Sequence, residues 1–195
     1  AALHGHVDFV NILLQNGADV NAANIRKETA LHFAAEYGCV DLAKVLIQNG
    51  ADVNAVTKTK WTALLKALFK KKFEVAKVLI QNGANVSAAE EHGRTTLHFA
   101  ALHGHVDFVN ILLQNGADVN AVNVHKQTAL HYAAQNGHVR VVNVLIENDA
   151  DVNAGDEVKS TPLHDAVWNG HIDVAKVLLQ NGADVNAVRE DIFSV

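Results

Sequence analysis

Apolar residues recur with a helical period in short blocks along the chain, and each pair of blocks is followed by a polar stretch. Between residues 95 and 127, one helical face is formed by Leu97, Ala100 and Ala101. A second block continues at three- and four-residue spacings with Val106, Val109, Leu112 and Leu113. The polar residues 118–127 have no helical period. The pattern therefore predicts two short helices followed by an extended loop or hairpin.

Local signals mark where these helices begin and end. Thr95 is a suitable N-cap, because its hydroxyl can accept a hydrogen bond from an unpaired backbone N–H. Pro162 marks the same boundary in another block, since proline suits the first helical position. Gly104 and Gly116 follow the two helices, where glycine tolerates the left-handed conformation. Both helices are therefore expected to be short and sharply bounded.

The whole pattern repeats every 33 residues. A segment of the type Thr-x-Leu begins at five equally spaced positions: Thr29, Thr62, Thr95, Thr128 and Thr161. The segment Gly-Ala-Asp-Val-Asn and its close variants keep the same step, beginning at Gly17, Gly50, Gly83, Gly116, Asp149 and Gly182. Residues 1–22 are identical to residues 100–121, which indicates internal duplication. Helix pairs this small cannot bury their apolar faces alone, so they must stack on their neighbours.

The repeated segments resemble the ankyrin repeat, whose pattern is T-P-L-H-x-A-A-x-x-G-H followed by L-L-x-x-G-A-D-V-N-A. The resemblance covers essentially the whole chain. It implies an all-α repeat solenoid, in which stacked helix–turn–helix units are joined by β-hairpin loops. It also implies that a protein or peptide partner binds the concave face, which the first helices and the hairpin tips form.

The period divides the chain, as a single array over residues 1–195, into about six repeats with truncated ends. The parts are a partial repeat 1–28, the repeats 29–61, 62–94, 95–127, 128–160 and 161–193, and the start of a further repeat at 194–195. Neither end shows the polar outer face of a capping repeat. We therefore expect a fragment of a longer array, or end-to-end association between molecules.

Composition narrows the function classes. The net charge is −5 with histidine neutral, which argues against a nucleic-acid binder. No apolar run approaches the roughly 18 residues that a membrane span needs. A single cysteine, Cys39, excludes an internal disulfide and is typical of a reducing compartment. We therefore expect a cytoplasmic protein that binds neither nucleic acid nor membrane.

The twelve histidines raise the hypothesis of a metal site, but most of them recur with the repeat. The Thr-x-Leu-His slot holds His32, His98, His131 and His164, and the Gly-His slot holds His6, His105, His138 and His171. Recurrence at equivalent positions indicates structural hydrogen bonds, and the motif asparagines are interpreted in the same way, as braces of the loop. No base is evidently placed to activate Cys39. We expect no metal, no cofactor and no enzymatic activity.

Positions that differ between repeats are the candidates for recognition. Aromatic residues recur at the exposed positions of the first helix, and aromatic side chains are common at binding hot spots. The predicted partner-binding residues are Tyr37, Trp61, Lys66, Phe69, Lys70, Leu102, His103, Gln135, Asn136, Trp168 and Asn169. Phe33, Phe99 and Tyr132 occupy related positions, where packing between repeats is an equal alternative.

Lysine is concentrated in the repeat 62–94 and just before it. Residues 58–72 hold six of the sixteen basic residues and no acidic residue, which favours an acidic partner. A solvated charged face is the alternative. Lys71 replaces the glycine between the two helices, which predicts a weakened repeat or a reshaped turn.

Lysine also replaces glycine at four loop tips, two residues before the threonine: Lys27, Lys60, Lys126 and Lys159. Only Gly93 keeps the glycine. If these lysines adopt positive φ, each carries about 1 kcal/mol of strain. The alternative is a different turn with solvated lysines.

Two function classes follow from these patterns. The first is a recognition module for a protein or peptide. The second is an architectural spacer within a longer solenoid. A contiguous aromatic patch at Tyr37, Phe69, Leu102 and Trp168 would favour the first class, and an evenly polar surface there would favour the second.

Overall fold

The computed structural model describes residues 7–190, and within that range the chain forms eleven α-helices. They are α1 (Val7–Gln15), α2 (Ala30–Tyr37), α3 (Val40–Gln48), α4 (Ala63–Phe69), α5 (Phe73–Gln81), α6 (Thr96–Leu102), α7 (Val106–Gln114), α8 (Ala129–Gln135), α9 (Val139–Glu147), α10 (Pro162–Trp168) and α11 (Ile172–Gln180). The predicted all-α repeat solenoid is confirmed. Within residues 7–190 the loops form no strand, and one isolated antiparallel bridge joins Ala23 to Thr29.

The chain divides into two compact units, residues 1–91 and residues 92–195. In unit 1 (residues 1–91), α2 packs on α4, and these helices pack on α3 and α5 respectively. In unit 2 (residues 92–195), α8 packs between α6 and α10, and each of the three packs on its own second helix. Buried alanines such as Ala34 and Ala133 let the first helices approach closely.

Threonine and histidine together cap the first helices. Thr128 has extended backbone at the start of α8, and its N–H donates to Nδ1 of His131 at 3.1 Å. Nε2 of His131 donates, also at 3.1 Å, to the carbonyl of Ser160, the residue just before Thr161 at the start of the next repeat. Burial lowers the pKa of His131, because the charged ring would lose its hydration. His131 thus links the start of α8 to the residue before the next repeat, which is the structural role that the recurrence predicts, and its lowered pKa favours the neutral ring.

The same bridge recurs in both units. His32 makes it to the carbonyl of Trp61, and His98 makes it to the carbonyl of Gln127. In repeat 62–94 a buried leucine, Leu65, takes the place of the histidine, and Thr62 caps α4 through its own hydroxyl. The structural role predicted for this histidine slot is confirmed.

The Gly-His slot links repeats at the other end of the first helix. Nε2 of His138 donates to the carbonyl of Leu102 at 3.1 Å. Its ring lies so close to Gly104 that an added Cβ would be 2.6 Å from Nδ1. Gly104 also has a φ of 69°, so both its backbone and its neighbour exclude a side chain.

The motif asparagines brace the next repeat rather than their own. Nδ2 of Asn54 donates to the carbonyl of Gly83 at 3.1 Å, and its Oδ1 accepts from the N–H of Asn85 at 2.7 Å. Asn21 in unit 1, and Asn120 and Asn153 in unit 2, make equivalent pairs of bonds. Each bracing amide therefore fixes the distance between consecutive loops.

The loop tips have the positive φ that is one of the two alternatives predicted from the sequence. Lys27, Lys60, Lys126 and Lys159 have φ between 58° and 60°, in the same left-handed region as Gly93. Neighbouring tips are joined by single backbone bonds, such as the N–H of Lys58 to the carbonyl of Arg26 at 3.0 Å. In unit 2 an equivalent bond joins Glu157 to His125.

The turn between α4 and α5 keeps its shape although Lys71 replaces glycine. Lys71 has a φ of 58°, and the N–H of Lys72 donates to the carbonyl of Ala67 at 2.7 Å. His105 makes the matching bond to Ala100 in a repeat that retains glycine. The expectation of a reshaped turn is wrong. The strain of a single left-handed residue is tolerated here because the hydrogen bonds of the turn are still made.

Replacing Lys71 with glycine should raise the free energy of unfolding by about 1 kcal/mol, because glycine adopts this φ without strain. Chemical denaturation followed by circular dichroism measures the change. Lys71→Ala is the matched control, since it removes the same charge but retains a Cβ at positive φ. Equal stabilisation by both variants would show that charge, not backbone strain, is responsible.

Candidate partner-binding grooves

Residues from two consecutive loops and two first helices line a groove in unit 1 with a volume of about 550 Å³. This unit 1 groove is lined by Arg26, Glu28, Glu36, residues 57–59, Trp61, Lys66, Phe69 and Lys70. It brings together four of the predicted site residues: Trp61, Lys66, Phe69 and Lys70. Tyr37, at the end of α2, is half-exposed and is not one of the lining residues.

An ion cluster lies in the unit 1 groove. Nζ of Lys66 donates to Oε1 of Glu28 at 2.8 Å and to Oε2 of Glu36 at 2.7 Å. Only 14% of the Lys66 side chain is exposed. Lys70 lies at the rim, with Nζ 3.7 Å from Oε1 of Glu36. The run of lysines in the sequence is thus partly neutralised by carboxylates from the preceding loop and helix.

Opposite forces act on the charges of this cluster. Burial lowers the pKa of Lys66, but the hydrogen bonds to Glu28 and Glu36 outweigh it and raise the pKa overall. The hydrogen bond from Lys66 lowers the pKa of Glu28, with a further bond from Asn24. Lys66 and Glu28 therefore both remain charged over a wider pH range than they would in water, because the pKa of Lys66 is raised and the pKa of Glu28 is lowered.

Two aromatic rings form an apolar wall of the unit 1 groove. The rings of Trp61 and Phe69 meet edge to face, with centroids 5.3 Å apart. Phe69 remains 40% exposed, and Nζ of Lys70 lies 5.4 Å from the centre of its ring. The groove thus combines apolar surface with fixed charges, as small binding sites usually do.

Two cations of the groove do not appear among the predicted site residues. Arg26 and Lys58 are exposed and lie on adjacent loops, which the backbone bond between them holds side by side. Arg26 occupies a tip position that holds Thr59, His92 and His125 in other repeats. That variation between repeats is the signal in the sequence that points to Arg26, and Lys58 belongs to the basic run 58–72.

A second groove lies in unit 2 and has a volume of about 420 Å³. This unit 2 groove is lined by Leu163, His164, Val167, Trp168, Asp184, Val185, Ala187 and Arg189. Trp168 is 82% exposed, and the guanidinium of Arg189 lies 5.9 Å from the centre of its ring. The predicted residues Phe69 and Trp168 thus line separate grooves, one in each unit.

The family model for ankyrin repeats (3 copies) matches residues 1–57, 52–123 and 120–189. Together these matches cover almost the whole chain, and they agree with the helix pairs, caps and loop braces described above. The chain belongs to the ankyrin-repeat family. Comparison with curated proteins gave no match. Ankyrin repeats are generally protein–protein interaction modules, and the family is typically non-enzymatic.

The other predicted residues of unit 2 lie at the ends of the first helices of their ankyrin repeats. Gln135 and Asn136 are exposed at the end of α8, and Asn169 is exposed after α10. Leu102 and His103 are partly buried at the end of α6. The carbonyls of Leu102 and Gln135 accept the histidine bonds between repeats. Leu102 and Gln135 therefore accept framework bonds through their backbones, while Gln135, Asn136 and Asn169 also present exposed side chains.

The aromatic residues inside the first helices mostly pack within the ankyrin array. Phe99 is fully buried, and Phe33 and Tyr132 are partly buried. The hydroxyl of Tyr132 accepts from Nδ2 of Asn123 at 3.1 Å. For these residues the packing alternative fits the structure better than an exposed contact does.

Within the described residues 7–190, no three His, Cys, Asp or Glu side chains are grouped so that they could hold a metal ion. None of the helices in this range is long and apolar enough to cross a membrane. Cys39 is a free, partly buried thiol at the start of α3. His4 and His6 lie outside the described residues.

Asp165 occupies the position in α10 that Lys66 occupies in α4. Burial raises the pKa of Asp165 to about 6, and the nearby charge of Asp156 acts in the same direction. Arg189 and Ser160 act against this shift. The folded protein therefore binds the Asp165 proton more tightly than the unfolded chain does, so its stabilising contribution is complete below pH 3.8 and is lost as the pH rises through about 6.

Asp165→Asn should therefore stabilise the protein at pH 7.5, by at most about 3 kcal/mol, and leave it nearly unchanged at pH 4. The uncharged amide removes the cost of burying the carboxylate. Denaturant unfolding at the two pH values measures the difference. Glu147→Gln, which removes the same charge at an exposed position of α9, is the matched control. A gain from Asp165→Asn that is equal at both pH values would contradict this account.

Proposed function

We propose that this ankyrin array is a protein-binding module and that its unit 1 groove takes an acidic segment of a partner protein. The observation that carries the proposal is the Trp61–Phe69 aromatic wall, placed in a groove beside fixed cations. Exposed aromatic rings are frequent anchors of protein interfaces. The neighbouring loops and first helices supply polar groups around this anchor.

The charges of the unit 1 groove support an acidic partner. Four cationic side chains and two carboxylates line it, which leaves a net positive charge although the protein as a whole is acidic. A positive groove on a negative protein attracts an acidic segment locally and disfavours non-specific anions elsewhere. We also propose an intracellular location, because the free thiol of Cys39 is typical of a reducing compartment.

An architectural spacer or a self-associating segment is the second candidate. In α1, Phe9 and Leu13 are exposed, whereas Leu42 and Leu46, their equivalents one repeat later in α3, are buried. Ile172 and Leu179 of α11 are likewise exposed. Apolar helix faces of this kind favour stacking on another repeat, which a second copy of the chain would supply end to end.

Phe69→Ala should weaken binding of a captured partner at least tenfold, or roughly 1.4 kcal/mol, because truncating an aromatic anchor exposes apolar surface that the complex buries. Quantitative affinity capture identifies partners, and titration with the purified partner then measures the dissociation constant. Ile25→Ala is the matched control, because Ile25 is exposed on a loop of unit 1 and does not line the groove. Trp168→Ala tests the unit 2 groove in the same assay. Unchanged affinity of Phe69→Ala for every partner would overturn the proposal.

End-to-end association should appear as a rise in weight-average mass with concentration in sedimentation experiments. Phe9→Glu should abolish it, because the charge would be buried between stacked helices. The exposed Asp8, changed to Asn, serves as a control on the same helix. A monomer at all concentrations would remove self-association while leaving the binding proposal intact.

A further inference from the structure

We propose that ligand carboxylates in the unit 1 groove are read by Arg26 and Lys58, on two adjacent loop tips, rather than by Lys66. The inference rests on the proposed function of this groove and specifies its ligand. The ligand is an extended acidic segment in which carboxylates flank a bulky apolar side chain. The assignment differs from the sequence-based list of partner-binding residues, which includes Lys66 but neither Arg26 nor Lys58.

Lys66 is already engaged by the protein itself. Its ammonium group has two carboxylate partners within 2.8 Å, on Glu28 and Glu36, and its side chain is largely buried. A ligand carboxylate would have to displace one of them and leave a buried charge without its partner, which is strongly unfavourable. Lys66 therefore shapes the groove and orients Glu28 and Glu36, and the ligand is read elsewhere.

Arg26 and Lys58 have the properties that Lys66 lacks. Both side chains are exposed, both line the groove, and within residues 7–190 neither makes an ion pair within 4.0 Å. The backbone bond from the N–H of Lys58 to the carbonyl of Arg26, at 3.0 Å, fixes the two loops side by side. Two cations held in this register are prepared to bind carboxylates with little loss of backbone freedom.

The aromatic wall determines the second half of the ligand. Trp61 follows Lys58 on the same loop, and the exposed part of Phe69 faces the groove that both residues line. An apolar side chain of the ligand that packs on these rings leaves flanking residues near the loop tips. Glu28 and Glu36 are held by Lys66, so they are poor acceptors for a basic ligand. The groove therefore selects acidic residues around one large apolar residue.

A labelled synthetic peptide with one leucine flanked on both sides by glutamates is the probe, and fluorescence anisotropy measures its binding to the whole chain. Arg26→Ala with Lys58→Ala should weaken binding about tenfold, with a shallower dependence on salt, because two partly solvated charge contacts are lost. The same peptide with lysine in place of glutamate should bind at least tenfold more weakly to the wild-type protein.

The matched control is Lys27→Gly with Lys60→Gly. It removes two charges from the same loops at residues that do not line the groove, and glycine suits their positive φ. This variant should bind the glutamate peptide within about twofold of the wild type, because charges that do not line the groove act on the ligand only through solvent-screened interactions. An equal loss in both double variants would overturn the assignment, since it would reflect net charge alone.

The two proposals fail in different ways. If Phe69→Ala abolishes binding and Arg26→Ala with Lys58→Ala does not, the groove binds its ligand but the carboxylate assignment is wrong. If neither variant affects binding, both proposals fall. Equal affinity for the lysine peptide would likewise overturn the acidic ligand. Circular dichroism of each variant, compared with that of the wild type, confirms that a loss of affinity is not a loss of folding.

Discussion

Each repeat leaves backbone groups unpaired at the ends of its short helices, and side chains of the neighbouring repeat complete them. Nε2 of His138 reaches the carbonyl of Leu102 at the end of α6, and the amide of Asn54 pairs with two backbone groups of the following loop. Isolated helices of this length are marginal in water. The stack therefore exists because hydrogen bonds and apolar contacts between repeats are made together, and substitution at a bridging position affects two repeats at once.

Because many side chains are needed to hold the repeats together, only a few positions remain for contacts with a partner. The histidines, asparagines and threonines that recur at equivalent positions are needed for bonds within or between repeats, so they cannot be altered to suit a ligand without loss of stability. Side chains at the loop tips and at the outer positions of the first helices make none of these repeated bonds. Arg26 and Lys58 illustrate the point, because their backbones are fixed by the array while their side chains remain available.

The sequence predicts the framework well because each signal is local or recurs at a fixed step. The helix starts at Thr29 and Thr128, and the hydrogen-bonding role of the recurring histidines, follow from the 33-residue period. The ion cluster does not follow, because Glu28 and Glu36 lie 38 and 30 residues before Lys66 and meet it only when repeats stack. The run of lysines in the sequence predicts a cationic patch, but in the fold Glu28 and Glu36 neutralise part of its charge.

The ion cluster also has a consequence for how the chain finds its fold. Because residues 1–22 are repeated without change at 100–121, the repeats offer near-equivalent ways to pair, and arrays of this kind misassemble by joining the wrong neighbours. If α4 packed on the first helix of a wrong repeat, Lys66 would meet Arg94 and Leu102, Gln127 and Gln135, or Ser160 and Trp168. These pairs are the counterparts of Glu28 and Glu36, and none of them carries a negative charge. A buried ammonium without a counter-ion is costly, so the mispaired arrangement is penalised. The Glu28–Lys66–Glu36 cluster thus makes the pairing of these repeats specific, because only the correct neighbours supply carboxylates to Lys66.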